Sequence, residues 1–305
     1  MLFRSWVAQA AWLLEPIYEA QRASVLASQV LAMDETPIRA GRSQARGKMK
    51  TGFYWPIYGD RDEVIFPFAP SRAHRVAEAL LGGFEGTLLS DGYPAYEAFA
   101  EKRSKVVHAR CWAHTRRYFV RAEDVEPQRA DQALGWIRTL YAHEEVIRER
   151  SLDRREALAF RGEHSKPIVD AFFAWLRDEL QGAALLPSNP FTVAAHYALE
   201  AQRGLEVFLA DPDVPIDTNH LERALRVIPM GKKNWLFCWS ELGAHQAGHV
   251  QSLLTTCVLH GVDPYTYLVD VLQRVDLQPQ SRVHELTPRL WKDHFGHAPL
   301  GSWAD

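Results

Sequence analysis

Three acidic residues stand where their surroundings favour chemistry. Asp34 directly follows the short apolar run Val30–Met33, and Asp91 directly follows the apolar run Thr87–Ser90. Glu222 lies near the start of a segment with helical periodicity. Acids at the ends of neighbouring strands point into one crevice, and a third acid from a packed helix would complete a set of oxygen ligands.

Such a set of carboxylates suits Mg²⁺, which prefers carboxylates, water and substrate phosphates to sulfur or imidazole. Two ions, Mg²⁺ or Mn²⁺, about 3.5–4 Å apart would activate a water or hydroxyl and stabilise the leaving oxygen of a phosphodiester. An acid after a strand is also a common turn former or helix cap, and this is the commoner role for any one of them alone. The combination of three favours a two-metal site.

The segment that carries Glu222 is predicted to be a short, well-anchored helix. Thr218 is a suitable N-cap. Asn219, Glu222 and Arg226 share one face of this helix. The apolar face consists of three residues at helical spacing: Leu221, Leu225 and Ile228. Pro229 is expected to end the helix.

Basic residues are concentrated in three windows without acids, each close to one of the three acids. Residues 39–50 hold five, residues 102–121 hold seven and residues 223–233 hold four. A phosphate polymer needs such neutralising side chains, and its binding would depend strongly on salt. Solvated helix faces and loops are the alternative explanation. The candidates for DNA contact are Lys48, Lys50, Arg116, Arg117, Asn219, Arg223, Arg226, Lys232 and Lys233.

Cys111 and His114 are predicted to pack and form hydrogen bonds behind the second acid, Asp91. A zinc site would need His108 as a further ligand, and it would still lack a fourth ligand and the usual paired spacing. Contact of His114 with DNA is a further alternative.

Three aromatic residues alternate in the segment Asn234–Ser240: Trp235, Phe237 and Trp239. This alternation predicts an extended hydrophobic plug. Burial in the core is favoured over base stacking, which is the other use of exposed aromatic rings.

The order of sequence patterns predicts a mixed α/β fold. Ile38–Gly52 is predicted to be a polar loop, Phe53–Tyr58 a strand and Val64–Phe66 the returning strand. Ser71 is predicted to cap the next helix. Strand and helix patterns then alternate, which predicts a mixed sheet with helices on its faces. From about Gln128 to Ala210 strand patterns vanish, and this stretch is predicted to be an all-helical insertion.

The predicted organisation has five parts. A helical segment spans residues 1–27, and the first part of a catalytic core spans residues 28–125. The helical insertion covers residues 126–212, and residues 213–276 complete the core. The polar tail, residues 277–305, is expected to be an extended arm.

The composition narrows the class of protein. The chain has 305 residues, of which 47% are hydrophobic and 24% charged, and this excludes a mostly disordered chain, a collagen and a coiled-coil rod. The net charge of −3 alone would not predict a nucleic-acid binder. Three cysteines without a CxxC spacing predict a reduced, cytoplasmic protein. Apolar runs stay below the ~18 residues that a membrane span needs, so no membrane partner is expected. The chain opens partway through a helical pattern and is expected to be a fragment of a longer protein.

Several motifs in the same order resemble those of the transposases of the insertion sequence sixty-six (IS66) family. The resemblance runs from about residue 20 to 292. It rests on Leu31–Pro37, Gly47–Gly52, Ser90–Tyr93, Cys111–Arg117, Ile216–Arg226, Gly231–Phe237 and Gly261–Tyr265.

This resemblance implies a ribonuclease-H-like core with a DDE triad of Asp34, Asp91 and Glu222. The two aspartates would bind or bridge two Mg²⁺ ions, and Glu222 would complete the second site. The implied reaction is metal-dependent hydrolysis at transposon ends, then attack of the freed 3′-hydroxyl on target DNA. The implied partners are transposon-end and target DNA, further copies of the chain on DNA, and accessory transposition proteins.

The sequence departs from the family pattern in two respects. The N-terminal helix-turn-helix and the cysteine-rich zinc-binding segment of the family have no counterpart here, and Val227 stands where proline is expected. Two alternatives therefore stay open beside the transposase. One is a partial or inactive remnant that binds DNA without transposing, and the other is a ribonuclease-H-like nuclease.

Overall fold

The computed structural model describes residues 2–42, 48–182 and 185–301 and has a mixed α/β fold, as predicted. The strands are β1 Val30–Met33, β2 Thr36–Arg42, β3 Met49–Tyr54, β4 Ile57–Gly59, β5 Val64–Ile65, β6 Phe68–Ala69, β7 Gly86–Ser90 and β8 Val106–Arg110. The α-helices are α1 Leu2–Leu26, α2 His74–Leu81, α3 Pro94–Glu101, α4 Trp112–Val120, α5 Pro127–Glu149, α6 Arg154–Phe160, α7 Lys166–Gly182, α8 Pro190–Glu200, α9 Gln202–Leu205, α10 Asn219–Leu225, α11 Val227–Trp235, α12 Glu241–Leu259, α13 Pro264–Arg274 and α14 Pro288–His294. A π-helical turn spans Arg161–Ser165, and 3₁₀ turns span Val207–Leu209 and Gln280–Leu286.

The chain divides into two compact units. Unit 1 combines Met1–Gly86 with His220–Asp305, and unit 2 is the continuous stretch Thr87–Asn219. Asp34 and Glu222 therefore belong to unit 1, and Asp91 belongs to unit 2.

Three strands of unit 1 follow one another in the order β5-β4-β1, with antiparallel pairing. All four residues of β1 are buried, as expected for a strand covered on both faces. The strand predicted over Phe53–Tyr58 is interrupted, since β3 ends at Tyr54 and β4 begins at Ile57. Pro56 lies in the gap, and a proline has no N–H to give to a ladder.

A second sheet in unit 1 has the order β2-β3-β6, also antiparallel. The prediction of a polar loop over Ile38–Gly52 is wrong, because β2 and β3 occupy most of it. Ile38 and Ala40 are buried while Pro37 and Arg39 are exposed, which is the alternation of a half-buried strand. Residues 43–47, with part of the first basic window, lie outside the described residues.

Buried polar contacts attach α12 to α1 and to the chain next to β5. The amide of Gln21 donates to the carbonyl of Ser252 at 3.1 Å and to Oγ1 of Thr256 at 2.9 Å. The N–H of Phe66 donates to Oγ of Ser252 at 2.8 Å. Gly248 is required here, because a Cβ at this position would lie 2.3 Å from the Phe66 carbonyl oxygen.

The polar tail is not an extended arm, and that prediction is wrong. Residues 280–294 form the last 3₁₀ turn and α14, and their apolar residues Leu286 and Trp291 are buried in a cluster with Tyr267 of α13. Asp270 is fully buried beneath them and accepts the indole N–H of Trp291 at 2.7 Å. The tail is therefore part of the core of unit 1.

Unit 2 begins with the succession β7–α3–β8. The N–H of Cys111, just after β8, donates to the carbonyl of Ser90, the last residue of β7, at 3.1 Å. The two strands therefore end at the same edge. As predicted, the described residues between Gln128 and Ala210 are helical, with no strand among them. These helices share a largely aromatic core with α4: Trp112, Phe119, Phe172, Phe173 and Phe191.

Two predicted helix boundaries are wrong. The residue before α2 is Ala73 and gives no side-chain cap, so Ser71 does not cap this helix. The helix with Glu222 ends at Leu225, four residues before Pro229. Pro229 is instead the third residue of α11, where its missing N–H would have no helical partner in any case.

The predicted plug of Trp235, Phe237 and Trp239 is not buried where the structure describes it, and the side chain of Trp235 lies outside that description. Trp239 is 59% exposed, and Phe237 is half-buried. The three cysteines are free thiols and all are buried. In the described part of the chain, none of the helices has the length and apolarity to span a bilayer.

Candidate active site

Asp34 lies directly at the end of the buried strand β1 and is itself half-buried. Its N–H donates to the carbonyl of Pro56 at 3.3 Å. Its Oδ1 accepts the N–H of Glu35 at 2.7 Å. These bonds fix both the backbone and the carboxylate of Asp34 next to the start of β4.

The neighbouring acid, Glu35, has a different role. Its carboxylate accepts from Nε of Arg72 at 2.6 Å and from a second nitrogen of the same guanidinium. The Glu35 side chain is only 2% exposed. A buried carboxylate needs such a partner, so Glu35 is the structural acid of this pair.

Glu222 is half-buried on α10, which packs through its buried residues Leu221 and Ala224. The ring of His220 on the same helix meets the ring of Tyr58 edge to face, with centroids 4.8 Å apart. The Tyr58 hydroxyl in turn donates to Asp62 at 2.7 Å, and burial together with this bond raises the pKa of Tyr58. The phenol stays protonated and its ring is held in place.

The two acids of unit 1 are thus attached to the same short segment, Pro56–Tyr58. Asp34 is attached through the carbonyl of Pro56, and the helix of Glu222 is attached through the ring of Tyr58. Asp34 and the helix of Glu222, which are far apart in sequence, are in this way both held at β4.

The start of α10 is fixed by Asp217, which the sequence analysis missed. Asp217 is buried, and its Oδ1 accepts the N–H of Asn219 at 2.9 Å. Its other oxygen accepts from the Asn219 amide. Thr218 was predicted as the cap, but its hydroxyl donates to the sulfur of Cys111 at 3.3 Å. Asp217 is the residue that takes the first N–H of the helix, and one amide donor of Asn219 is therefore engaged.

Asp91 follows β7 in unit 2 and is half-buried. Its Oδ1 accepts the N–H of Tyr93 at 2.9 Å, a bond that turns the chain into α3. The preceding residue, Ser90, places its hydroxyl 2.8 Å from Nε2 of His108. Burial and the Arg110 guanidinium lower the pKa of His108 to about 4, so this ring is neutral at pH 7.

Cys111 lies behind this strand end through its bond to Ser90. Its thiol is buried, burial raises its pKa, and its sulfur accepts the N–H and the hydroxyl of Thr218 at 3.3 Å each. His114 is half-buried on α4, with Nε2 3.0 Å from the guanidinium of Arg117.

The convergence of all three acids stays a prediction. Over the described ranges, groups of three or more His, Cys, Asp or Glu side chains that could hold a metal ion are absent. Asp34 and Glu222 share unit 1, and Asp91 belongs to unit 2.

The basic candidates in unit 1 fall into two groups. Lys50 pairs with Glu241 at 3.1 Å, and Lys232 donates its ammonium to the carbonyl of Pro37. Burial lowers the pKa of Lys232. The others are exposed: Lys48, Arg223, Arg226 and Lys233.

The basic candidates in unit 2 line a cavity of about 510 Å³ between α4 and α5. Arg116 and Arg117 come from α4, Arg138 from α5 lines the same cavity, and Asn219 lines it as well. Its acids are Glu123 and Asp131. Arg138 was missed in the sequence because it lies outside the basic windows.

Comparison with known proteins gives a family match along most of the chain. Residues 2–246 match the family described as "Transposase IS66 family", and residues 252–289 match the "IS66 C-terminal element". The first range includes all three predicted catalytic acids. No solved structure matches.

Three curated relatives come from Sinorhizobium fredii (strain NBRC 101917 / NGR234), and each is called an uncharacterized protein. The chain is 33% identical to y4hP over 308 residues, which covers 94% of this chain and 55% of the relative. It is 30% identical to y4jD, with 96% and 60% covered, and 31% identical to y4qI, with 92% and 52% covered. The chain therefore spans about half to three-fifths of the length of these relatives.

Proposed function

The chain belongs to the IS66 family of transposases, and we propose that it carries the catalytic part of a DDE transposase with a ribonuclease-H-like core. The reaction is cleavage of DNA strands at transposon ends, followed by attack of the freed 3′-hydroxyl on target DNA. The observation that carries this proposal is the attachment of Asp34 and of the Glu222 helix to the one segment Pro56–Tyr58. A triad needs such fixed placement, since a carboxylate on a mobile loop would not hold a ligand geometry.

Asp91 is the third member of the proposed triad. Like Asp34, it follows a buried strand, is half-buried, and has Oδ1 bound to a backbone N–H close after it in sequence. This shared local structure supports a shared role. A turn-forming acid would also make this bond, and mutation separates the two roles.

The donor chemistry of these residues fits Mg²⁺ or Mn²⁺. Three carboxylates supply hard oxygen ligands, which these cations prefer. Asp34, Asp91 and Glu222 would hold two ions, which when bound activate the attacking water or hydroxyl and stabilise the leaving oxygen. The backbone bonds at Oδ1 orient the two aspartate carboxylates before any ion arrives.

The exposed arginines next to Glu222 supply the DNA contacts in unit 1. Arg223 and Arg226 lie on the solvent side of the helix region that carries Glu222. Their guanidiniums would bind phosphates of the strand to be cut. In unit 2 the arginines that line the cavity would bind a further stretch of backbone: Arg116, Arg117 and Arg138. Assembly of several copies on transposon ends, with accessory proteins, completes the proposal.

Cleavage and joining assays test this function. Labelled duplexes that carry a transposon end are incubated with the chain and Mn²⁺ or Mg²⁺. We expect metal-dependent cleavage that is lost in Asp34→Asn, Asp91→Asn and Glu222→Gln. The matched control is Glu101→Gln, an exposed acid of unit 2. Retained cleavage in Asp91→Asn or Glu222→Gln would contradict the triad.

A second assay separates the two open alternatives. A duplex with a preformed 3′-hydroxyl end is offered with target plasmid, and joined product is measured. Cleavage without joining would indicate a nuclease of this fold. Binding of DNA with a salt dependence that neither Mn²⁺ nor Asp34→Asn changes, and without any cleavage, would indicate a non-enzymatic remnant.

A further inference from the structure

Large apolar side chains are exposed in a short stretch of unit 1 after the Glu222 helix. Leu236 is 64% exposed and Trp239 is 59% exposed. Met230 and Leu242, on either side, are 63% and 66% exposed. Single exposed apolar residues are ordinary, but four close together in sequence indicate a contact surface.

The backbone explains why Trp239 points outward. Cys238 forms a bridge to Ala40 at the edge of β2, and its N–H donates to the carbonyl of Arg39 at 2.9 Å. The Cys238 sulfur faces inward, 3.9 Å from the Tyr54 hydroxyl. Side chains alternate along an extended segment, so the residues on either side of Cys238 face away from Tyr54.

The two outward rings support each other. Phe237 and Trp239 meet edge to face, with centroids 5.1 Å apart. The half-buried ring of Phe237 thus contacts Trp239 on one side, and 59% of Trp239 stays exposed to solvent.

Leu236 begins this segment in a costly conformation. Its φ is +61°, a region that residues other than glycine rarely adopt, and its N–H donates to the carbonyl of Lys232 at 2.9 Å. An exposed leucine gains little from burial, and its backbone conformation at this position is unfavourable. Strain of this kind is concentrated at functional sites.

Exposed cations lie on the elements next to this segment. Arg39 and Lys50 are exposed on β2 and β3, Lys48 is exposed just before β3, and Lys233 is exposed on α11. Glu241 is the acid of this surface, and it pairs with Lys50 at 3.1 Å. An exposed ion pair contributes little, so a phosphate can replace Glu241 at Lys50.

We infer that this surface, here called the aromatic platform (Leu236–Trp239 with Lys50 and Lys233), binds unpaired bases of a DNA strand. Indole faces stack on bases, and lysines neutralise the phosphates between them. A duplex hides the faces of its bases, so the platform fits a single-stranded or frayed end. The inference rests on the proposed function, because that function supplies DNA with freed strand ends.

Binding of a single-stranded oligonucleotide tests the platform without catalysis. A fluorescent oligo-dT is titrated with the whole chain in EDTA, and anisotropy is measured. We expect Trp239→Ala to weaken binding roughly tenfold, as for the loss of one stacked base. Trp12→Ala is the matched control, because Trp12 is 67% exposed on α1 of the same unit. Trp239→Phe should restore part of the affinity.

The salt dependence distinguishes stacking from charge. Lys233→Ala should reduce the slope of log affinity against log salt by about 0.7, the value for one phosphate on a single strand. Trp239→Ala should lower affinity at every salt concentration and leave the slope unchanged. Equal binding by Trp239→Ala and the wild type, with both folded by circular dichroism, would overturn the inference.

Two further measurements distinguish a failure of the aromatic platform from a failure of the proposed catalytic triad. Sedimentation of the wild type and Trp239→Ala shows whether the rings bind a second copy, and a change of oligomeric state with unchanged DNA binding would also overturn the inference. Metal-dependent cleavage of duplex ends by wild type tests the triad separately. A chain that cleaves but shows no role for Trp239 in binding refutes the platform alone.

Discussion

The ammonium of Lys232 donates a hydrogen bond to the backbone carbonyl of Pro37. Pro37 lies three residues after Asp34, and Lys232 lies on α11, the helix that directly follows the helix of Glu222. This bond therefore attaches the segments that follow two of the proposed catalytic acids to each other. It also makes Lys232 a structural residue before any contact with DNA.

Lys232→Met should lower the free energy of unfolding by about 1 kcal/mol, because a charge-assisted bond is lost from a half-buried site. Lys233→Met, at an exposed neighbour, should change it by less than about 0.5 kcal/mol. Urea unfolding followed by circular dichroism measures both. Equal effects would show that the Pro37 bond contributes no stability.

Arg161 forms a buried ion pair with Glu144 in unit 2. Its guanidinium binds both oxygens of Glu144, at 2.8 and 2.7 Å, and donates to the carbonyl of Phe208 at 2.7 Å. Arg161→Ala should cost about 3–5 kcal/mol, because it leaves the Glu144 carboxylate without its partner.

The control for Arg161 is Arg148→Ala. Arg148 pairs with Glu145 on the surface, with 74% and 59% of the two side chains exposed. This change should stay within about 0.5 kcal/mol. Thermal unfolding of both variants gives the comparison, and similar losses would contradict the role of burial.

His108 should make unit 2 sensitive to acid. Burial and Arg110 lower its folded pKa to about 4, below the 6.5 of an unfolded histidine. The unfolded chain therefore binds a proton first as the pH falls, and stability falls between pH 6.5 and 4. From pH 7 to pH 5 this one residue should remove about 2 kcal/mol.

The variant His108→Asn checks that assignment. Its loss of stability from pH 7 to pH 5, measured by urea unfolding, should be smaller than in the wild type. Some acid sensitivity should remain, because burial and His245 lower the pKa of His249 to about 4 as well. An unchanged pH profile would show that His108 is accessible to protons in the folded state.

Asp270 should determine whether the C-terminal region stays packed. It accepts from Arg274 at 2.6 Å, from Trp291 at 2.7 Å and from the N–H of Leu300 at 2.6 Å. Burial alone would raise its pKa, but these hydrogen bonds lower it overall. Its contribution is therefore present above about pH 4 and is lost as the pH falls through the folded pKa.

Asp270→Ala should destabilise unit 1 by about 3 kcal/mol and speed amide exchange over residues 280–294. Hydrogen–deuterium exchange read by mass spectrometry measures the second effect. The exposed acid Asp276 is the control, and Asp276→Ala should leave exchange unchanged. Slow exchange in Asp270→Ala would mean that apolar packing alone holds α14.

The sequence predicts elements well where one local signal dominates. The buried runs of β1 and β7 and the all-helical stretch of unit 2 agree with the structure. The prediction fails where many charged residues obscure the alternation of buried and exposed side chains in a strand. Arg39 and Lys50 make their segment resemble a loop, although the residues facing the core alternate correctly.

The C-terminal tail and the candidate active site show a second limit of prediction from sequence, because both depend on contacts with residues far away in the chain. The buried Trp291 donates its indole N–H to Asp270, and a polar sequence gives no sign of this contact. Asp217 stands in a row of polar residues, and only its burial distinguishes it from its neighbours. The three acids are identified from strand ends and motifs, and their joint role stays a prediction.

The division of the chain has a consequence for the order of assembly on the ribosome. Unit 2 is continuous, so all of it is synthesised before any residue after Asn219 is made. Unit 1 is split, and its first 86 residues need Ser252 and Thr256 of α12 to satisfy Gln21. Domains fold as units during synthesis. Unit 2 can therefore fold first, whereas unit 1 can fold only after its second segment has been synthesised.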